Sequence, residues 1–338
     1  MTAVLRATGL GKQYGRGWAL RDCTLEIPAG KVAGLVGPNG AGKTTLLHLA
    51  VGLLAPTSGT IEVLGGRPAE NPSQLGRVGF VAQETPTYAT LSVRDHLHLG
   101  AWLNPGWDAD LAEHRIERLG LDPTQKTGKL SGGERAQLAL TLAIAKRPEL
   151  LLLDEPVAGL DPLARREFLQ GLMEIVAEQG VSVVLSSHLV ADLERVCDYL
   201  VVLVASRLRV AGEVEGLLAS HRRLIGPRRD PSALPVGQEV IEASHTERQS
   251  TLLVRTHEPI LDPAWSVEEV SLEDLVLAYM RPPGNAQPAQ QSRLEVVRCS
   301  GLPGVSFAPK PPWPSPRWWS WASWWRSPGS RRWAATRG

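Results

Sequence analysis

The sequence predicts an α/β protein built on a mostly parallel sheet, and three observations carry that expectation. From Val4 to about Val214, short runs of Val, Ile and Leu alternate with longer segments of helical spacing, punctuated by Gly and Pro. A glycine-rich loop, Gly37 to Thr44, follows one of those runs and opens a helical segment. Four leucines, Leu150 to Leu153, run straight into Asp154 and Glu155. Runs that are apolar at every position suit strands buried on both faces, as strands of a parallel sheet are.

Taken in order, strands are expected at Val32 to Val36, Val78 to Val81, Leu150 to Leu153, Val181 to Leu185 and Leu200 to Val204. The helices between them are expected at Thr44 to Leu54, Arg135 to Lys146, Pro162 to Gln179 and Leu189 to Cys197. Residues 1–215 thus read as one α/β unit. Residues 216–280 are less regular, with a charged, Pro-interrupted stretch from Arg222 to Pro235 and a short helix at Leu272 to Met280, and read as a small appended αβ region. After Met280 the composition becomes that of a linker. The tail, 281–338, holds seven of the 11 tryptophans among Arg, Ser and Pro without periodicity. Trp and Arg suit an anchor at a membrane surface; the same composition suits a disordered or out-of-frame extension, which is the reading favoured here.

Length and charge bound the function. A chain of 338 residues has room for about two domains. Lys plus Arg number 36 against 35 Asp plus Glu, and the tail carries a disproportionate share of the cations, so residues 1–280 are net acidic and lack the global basic excess of a nucleic-acid binder. No run approaches the ~18 apolar residues that span a bilayer, and the first residues show no apolar leader segment. Cys23, Cys197 and Cys299 are too dispersed for a metal pair and read as ordinary thiols of a reducing compartment.

Gly37, Pro38, Asn39, Gly40, Ala41, Gly42, Lys43 and Thr44 fit the spacing G-x-x-x-x-G-K-[ST] between a strand and a helix. Glycines let the backbone curl so that successive N–H groups point at phosphate oxygens, and the helix presents its positive end to the same anion. Lys43 then reaches the β- and γ-phosphates, and the Thr44 hydroxyl ligates Mg²⁺, with Thr45 beside it. At the end of the leucine run, Asp154 is placed to hold Mg²⁺ and Glu155 to polarise a water for attack on the γ-phosphate. The pattern therefore predicts binding of a nucleoside triphosphate with Mg²⁺.

A second anion-binding device follows at Leu130 to Glu134. Ser131, Gly132, Gly133 and Glu134 open a strongly apolar helical run, so a hydroxyl and free N–H groups face outward. One nucleotide rarely needs two cradles. On these residues the chain resembles the ATP-binding subunits of ABC transporters, whose signature LSGGQ precedes such a helix. The resemblance implies the P-loop fold of ABC ATPases: a mostly parallel core, an N-terminal antiparallel β subdomain, and an α-helical subdomain inserted at about 84–145. It also implies that the signature of one subunit closes on the nucleotide held by the phosphate loop of another.

The other family motifs appear in the family's order. Tyr14 matches the aromatic that stacks on adenine. Gln83 matches the glutamine that senses Mg²⁺ and links the site to the membrane partner. Asp161, ending AlaGlyLeuAsp, matches the acid beside the subunit contact, and His188, in LeuSerSerHis, matches the switch histidine on the γ-phosphate. Two positions depart: Glu134 stands where the signature has glutamine, and ValAlaGlyLeuAsp replaces ThrSerGlyLeuAsp. Both border the expected subunit contact, so closure is expected to survive with altered affinity.

The implied activity is ATP hydrolysis by a cytoplasmic subunit lying on the inner face of the cell membrane, in a homodimer or heterodimer bound to a separate permease. Tyr88, Leu91, Val93 and Leu97 are candidates for the floor that meets this permease, and equally for an ordinary helix core. AsnProGlyTrpAsp at 104–108 and the short region after 215 resemble exporters of the multidrug type. The alternative is an ABC ATPase that works on ribosomes or DNA. Against it, the chain between Lys43 and Ser131 holds neither a heptad array nor a second phosphate loop. A small-molecule kinase shares the phosphate loop but has no use for the signature.

Overall fold

The run Val32–Val36 forms β3, buried at every position, and lies inside a six-stranded sheet. Its order is β5 (Val78–Val81), β6 (Leu150–Leu153), β7 (Ser182–Ser187), β3, β8 (Tyr199–Val204) and β9 (Arg207–Glu213). All pairs are parallel except β8 with β9. These assignments come from a computed structural model that describes residues 2–84, 87–228 and 238–281. The tryptophan-rich tail, and the part of the Arg222 to Pro235 stretch beyond 228, lie outside the described residues.

The reason the sheet is continuous in sequence hydrophobicity is visible in β6. Leu151 and Leu153 join the core made with α5 (Gly132–Ile144) and α6 (Pro162–Gln179), where Leu140, Ile144, Phe168 and Leu172 lie. Leu150 and Leu152 point to the opposite face, toward Leu46, Leu47 and Leu49 of α1 (Lys43–Ala50). Every second side chain meets a different layer, so no position of the strand tolerates polarity. Against the α1 layer packs a smaller antiparallel sheet, ordered β2 (Gly17–Pro28), β1 (Ala3–Tyr14) and β4 (Ser58–Val63).

Between β5 and β6 the chain builds a helical layer. After the short α2 (Pro72–Gly76), which precedes β5, come α3 (Val93–Leu103) and α4 (Ala109–Arg118), and then α5. They share a core of Val93, Leu97, Ala112, Ile116 and Leu138. Val93 and Leu97 are thus core residues of this layer, whereas Tyr88 stands exposed. After β9, α8 (Val214–Ser220) leads into an antiparallel sheet ordered β11 (Glu239–His245), β12 (Gln249–Arg255), β10 (His221–Pro227) and β13 (Ser266–Glu268), closed by α9 (Leu272–Met280). Leu272, Leu275 and Val276 of α9 enter the same core as Leu193 and Val196, which ties the appended sheet to the main one.

Several boundaries differ from the sequence expectation for local reasons. β7 runs on through Ser186 and Ser187, both buried, where the apolar pattern stops at Leu185. α1 ends at Ala50, two residues before Gly52 takes a left-handed φ of 79°. The helix expected at Leu189 to Cys197 is reduced to the four residues of α7 (Val190–Leu193). α5 begins earlier than expected, at Gly132, because Ser131 caps it.

Candidate nucleotide site

Four neighbouring strands, β5, β6, β7 and β3, end on the same edge of the parallel sheet, and each delivers one component there. Carboxyl edges of such sheets are where ligands bind in open α/β folds. Gln83 follows β5, Asp154 and Glu155 follow β6, Ser186 and Ser187 close β7 ahead of His188, and the glycine loop follows β3. Together Asn39, Gly40, Gly42, Lys43, Thr44, Thr45, Gln83, Glu155 and His188 line a cleft of ≈ 550 Å³, with Ala19 and Ala158 at its margin.

Two glycines shape the loop. Gly42 caps α1 with a left-handed φ of 106°, and a β-carbon there would overlap the Ala19 carbonyl. Gly37 is buried against the Leu203 carbonyl, with no room for a side chain. Pro38, Asn39 and Gly40 form the exposed crest, and Ala41 is buried beneath it. Lys43, only 5% exposed, folds back over the loop and donates to the Gly37 carbonyl at 2.8 Å and the Pro38 carbonyl at 3.5 Å.

The same ammonium lies 3.2 Å from Glu155 Oε1. His188 Nδ1 approaches the other carboxylate oxygen of Glu155 at 3.1 Å. Glu155 is therefore held from two sides, by a buried cation and by an imidazole that remains half exposed. Its backbone is left-handed, with φ 45°, a conformation that costs a non-glycine residue about 1 kcal/mol or more. The neighbouring Asp154 is buried, and its Oδ1 accepts a hydrogen bond from Ser186 Oγ at 2.8 Å. Behind His188, the Asp192 carboxyl is pushed up by burial, an effect that Arg165, 3.8 Å away, only partly offsets.

Asp154, Thr44 and Gln83 offer carboxylate, hydroxyl and amide oxygens, the hard donors that Mg²⁺ takes together with phosphate oxygens. Among the described residues there is no cluster of three His, Cys, Asp or Glu able to hold a metal unaided. That is the donor chemistry of a metal carried in with a nucleotide.

The remaining expected residues do not reach this cleft. Ser131 and Gly132 are exposed at the start of α5, and Ser131, Gly133 and Glu134 line a different hollow, bounded by Arg118, Glu167 and Glu174. Ser131 Oγ accepts from Glu134 N at 3.2 Å, and Glu134 Oε2 accepts from Ser131 N at 2.7 Å, a reciprocal cap. A β-carbon on Gly133 would come 3.0 Å from the Ala164 β-carbon of α6, so glycine lets the two helices approach closely here. Asp161 caps α6, accepting from Leu163 N and Ala164 N, both at 3.0 Å. Tyr14, at the end of β1, is 52% exposed with the Lys12 ammonium 5.4 Å from its ring centre. Sequence reasoning missed two residues that the fold brings in: Ala19, which carries no signal, and Ser186, a polar residue just past an apolar run.

A strand-loop-helix cradle with a buried lysine, accompanied by an aspartate at the end of a buried strand two places away in the same sheet, defines a P-loop nucleotide-binding ATPase. Comparison with known proteins narrows the class. Residues 20–158 match the family described as ABC transporter. The bacitracin transport ATP-binding protein BcrA of Enterococcus faecalis is 30% identical over 276 residues, 81% of this chain and 89% of that protein. The Nod factor export ATP-binding protein I of Cupriavidus pinatubonensis is 34% identical, over 65% of this chain and 70% of its own. The thiamine import ATP-binding protein ThiQ of Salmonella typhimurium is 33% identical, over 60% and 90%. A solved ATP-binding subunit of an ABC transporter superposes with a TM-score of 0.57 at 28% identity, covering 63% of this chain and 91% of that one. A dimeric cassette described as holding ADP and phosphate, 22% identical, shares the fold with a TM-score of 0.56. The chain belongs to the ABC transporter ATP-binding family, and it is an ATP-binding, ATP-hydrolysing subunit of such a transporter.

Proposed function

We infer that this subunit powers export through a separate membrane permease, by ATP-driven closure and opening of a head-to-tail pair of nucleotide-binding subunits. One observation carries the reading: the cleft that holds Lys43 and Glu155 lacks the signature residues, which stand exposed elsewhere on the chain. A second subunit, identical or closely related, supplies Ser131, Gly132 and Gly133 opposite the phosphate loop, with Asp161 alongside. Among the described residues no helix is long and apolar enough to cross a membrane; this reading assigns the cargo path to the permease. That arrangement puts the subunit on the cytoplasmic face of the membrane.

In this reading Tyr14 stacks on adenine, while the loop N–H groups and Lys43 take the phosphates. The γ-phosphate competes with Glu155 for the Lys43 ammonium and so frees the carboxylate. Glu155 then accepts a proton from a water whose oxygen bonds to the γ-phosphorus as the β–γ bridging bond breaks, giving ADP and phosphate. His188 orients the same carboxylate and meets the γ-phosphate, and Gln83 reports its presence toward the permease. Thr44, Asp154 and Gln83 would hold Mg²⁺, which offsets the charge on the transferring group. Loss of the γ-phosphate removes the bridge between subunits, and the pair opens by as much as its affinity for the two states differs, ~1.4 kcal/mol per tenfold.

Support for export comes from the bacitracin and Nod factor relatives, while thiamine and molybdenum import relatives match at similar identity. Two experiments test the reading. Glu155→Gln is expected to run as a dimer on size exclusion with ATP and as a monomer without it; a monomer in both runs overturns the sandwich. Pull-down of the tagged chain is expected to recover a hydrophobic permease, and vesicles carrying that pair should accumulate cargo in the outward direction; uptake in the opposite sense overturns export, and recovery of ribosomes or DNA overturns transport.

A further inference from the structure

Near the end of β7, after Val183, Val184 and Leu185, stands a fully buried serine, Ser186, at 0% exposure. A hydroxyl is placed in such a position at a cost unless it is bonded on both sides. Ser186 meets that condition by bridging two successive residues of the neighbouring strand end. Its Oγ accepts from the Glu155 backbone N–H at 2.8 Å and donates to Asp154 Oδ1 at 2.8 Å. The parallel register explains why it is in reach: Leu153 lies opposite Leu185, so Asp154, the first residue past β6, comes beside Ser186, which is still held in β7 by its pairing with β3.

The second observation is the backbone it grips. Glu155 sits at φ 45°, a left-handed conformation for a residue with a full side chain. A conformation of that kind persists only when the surroundings hold it. The Ser186 hydroxyl receives the N–H of that very residue. Without it, the peptide would have an unpaired N–H beside the sheet and the elbow would have one restraint fewer.

We propose that Ser186 is a positioning residue for hydrolysis: one hydroxyl fixes both the Asp154 carboxylate and the turn that aims Glu155, so that the metal-facing and water-facing acids move as a unit. This rests on the roles given to Asp154 and Glu155 above. Ser186 touches no reacting atom; it acts through the orientation of two groups that do, and misplacement of such groups by small distances lowers rates steeply.

The test compares Ser186→Ala and Ser186→Thr with Ser182→Ala. Ser182 lies on the same strand, is equally enclosed, and bonds Gly30 N at 2.9 Å at the far end of the sheet. Ser186→Ala is expected to lower kcat about tenfold, or ~1.4 kcal/mol, with KM for ATP changed less than twofold. Ser186→Thr, which keeps the hydroxyl, is expected to stay within threefold of the parent chain. Ser182→Ala is expected to lower Tm by as much as Ser186→Ala while leaving kcat alone. A binding readout accompanies the kinetics: titration of Mg²⁺ into the ATP-loaded Glu155→Gln chain, with and without Ser186→Ala, is expected to show about fivefold weaker Mg²⁺ binding when the hydroxyl is gone. Parent-like kcat and Mg²⁺ affinity in Ser186→Ala overturns the proposal, as does an equal loss in Ser186→Thr or Ser182→Ala. If Glu155→Gln alone hydrolyses ATP at the parent rate, the assignment of Glu155 fails and the proposal falls with it. If Glu155→Gln is inactive and Ser186→Ala is unchanged, the proposal alone fails.

Discussion

The phosphate loop and the signature helix each offer backbone N–H groups at a helix start, yet they are built differently. The first lies in a cleft where the buried Lys43 meets Glu155, and behind it Ser186 bonds both the Glu155 backbone N–H and the Asp154 carboxylate. The second stands on the surface, and its polar side chains are spent on each other in the Ser131–Glu134 cap. That cap engages the N–H groups of Ser131 and Glu134 and leaves those of Gly132 and Gly133 to outside acceptors. A prebuilt half beside a bare anion receptor is what the proposed assembly between copies requires: in that reading binding precedes catalysis, and catalysis waits for the partner.

The largest effect that sharpens this contrast is expected on the phosphate-loop side. Lys43→Ala should weaken ATP binding by about 100-fold or more, measured with a fluorescent nucleotide, because the loop loses its cation and Glu155 loses its buried partner. Next comes a substitution on the other side that spares the first. Ser131→Asp retains a capping oxygen for α5, so Tm should hold, while a second anion facing the partner's nucleotide should cut turnover by about 100-fold. ATP binding to the dilute, unpaired chain should be unchanged; a parallel loss of binding would merge the two halves into one site and break the comparison.

Smaller is the effect at Glu134. Glu134→Gln still offers an oxygen to Ser131 N, so the cap survives, and removal of the negative charge should tighten ATP-driven dimerisation several-fold. Glu134→Ala opens the cap and should lower Tm by about 2–4 °C, the worth of roughly 1 kcal/mol at this size. The smallest effect lies away from both halves. His221 is buried, with Nδ1 2.7 Å from the Leu217 carbonyl and Nε2 2.9 Å from the Tyr279 hydroxyl. Burial holds its pKa below the ordinary value, aided by Arg255 and His257 and opposed by the Leu217 carbonyl and Glu239. The native state therefore refuses a proton that the unfolded chain takes up below about pH 6.5, so the appended sheet keeps full stability above that pH and loses it as the pH falls. Protection factors for hydrogen exchange, with the intrinsic pH dependence of the rates divided out, should fall several-fold at His221–Pro227 and Leu272–Met280 between pH 7.5 and 5.5, with those of β3 unchanged.

The core sheet was legible because its parallel strands carry runs of consecutive apolar residues, which the edge strand β9 lacks; β3, β5 and β6 start and stop where their apolar runs do. The appended sheet was not, since β10 begins HisArgArg and β11 is only half buried, so neither the alternation nor the continuous run of a strand is present. α7 misled in the other direction: Leu189 to Cys197 has helical spacing, but Val196 and Cys197 bond back to Leu193 in turns that end the helix early. The phosphate loop around Lys43 and the acids Asp154 and Glu155 were legible from spacing, Gln83 and His188 only through the family resemblance, while Ser186 was hidden because its significance lies in a strand 32 residues away. Pairing across a parallel sheet leaves no local trace in sequence.

Lys43 already hooks the Gly37 carbonyl into place across the crest of its loop. A loop shaped in advance surrenders little freedom when a guest arrives, so nucleotide capture should be governed by the gain in contacts rather than taxed by the ordering of a floppy segment. In a calorimeter, uptake of ATP by the single chain would then carry a small entropic penalty for so glycine-rich a receptor.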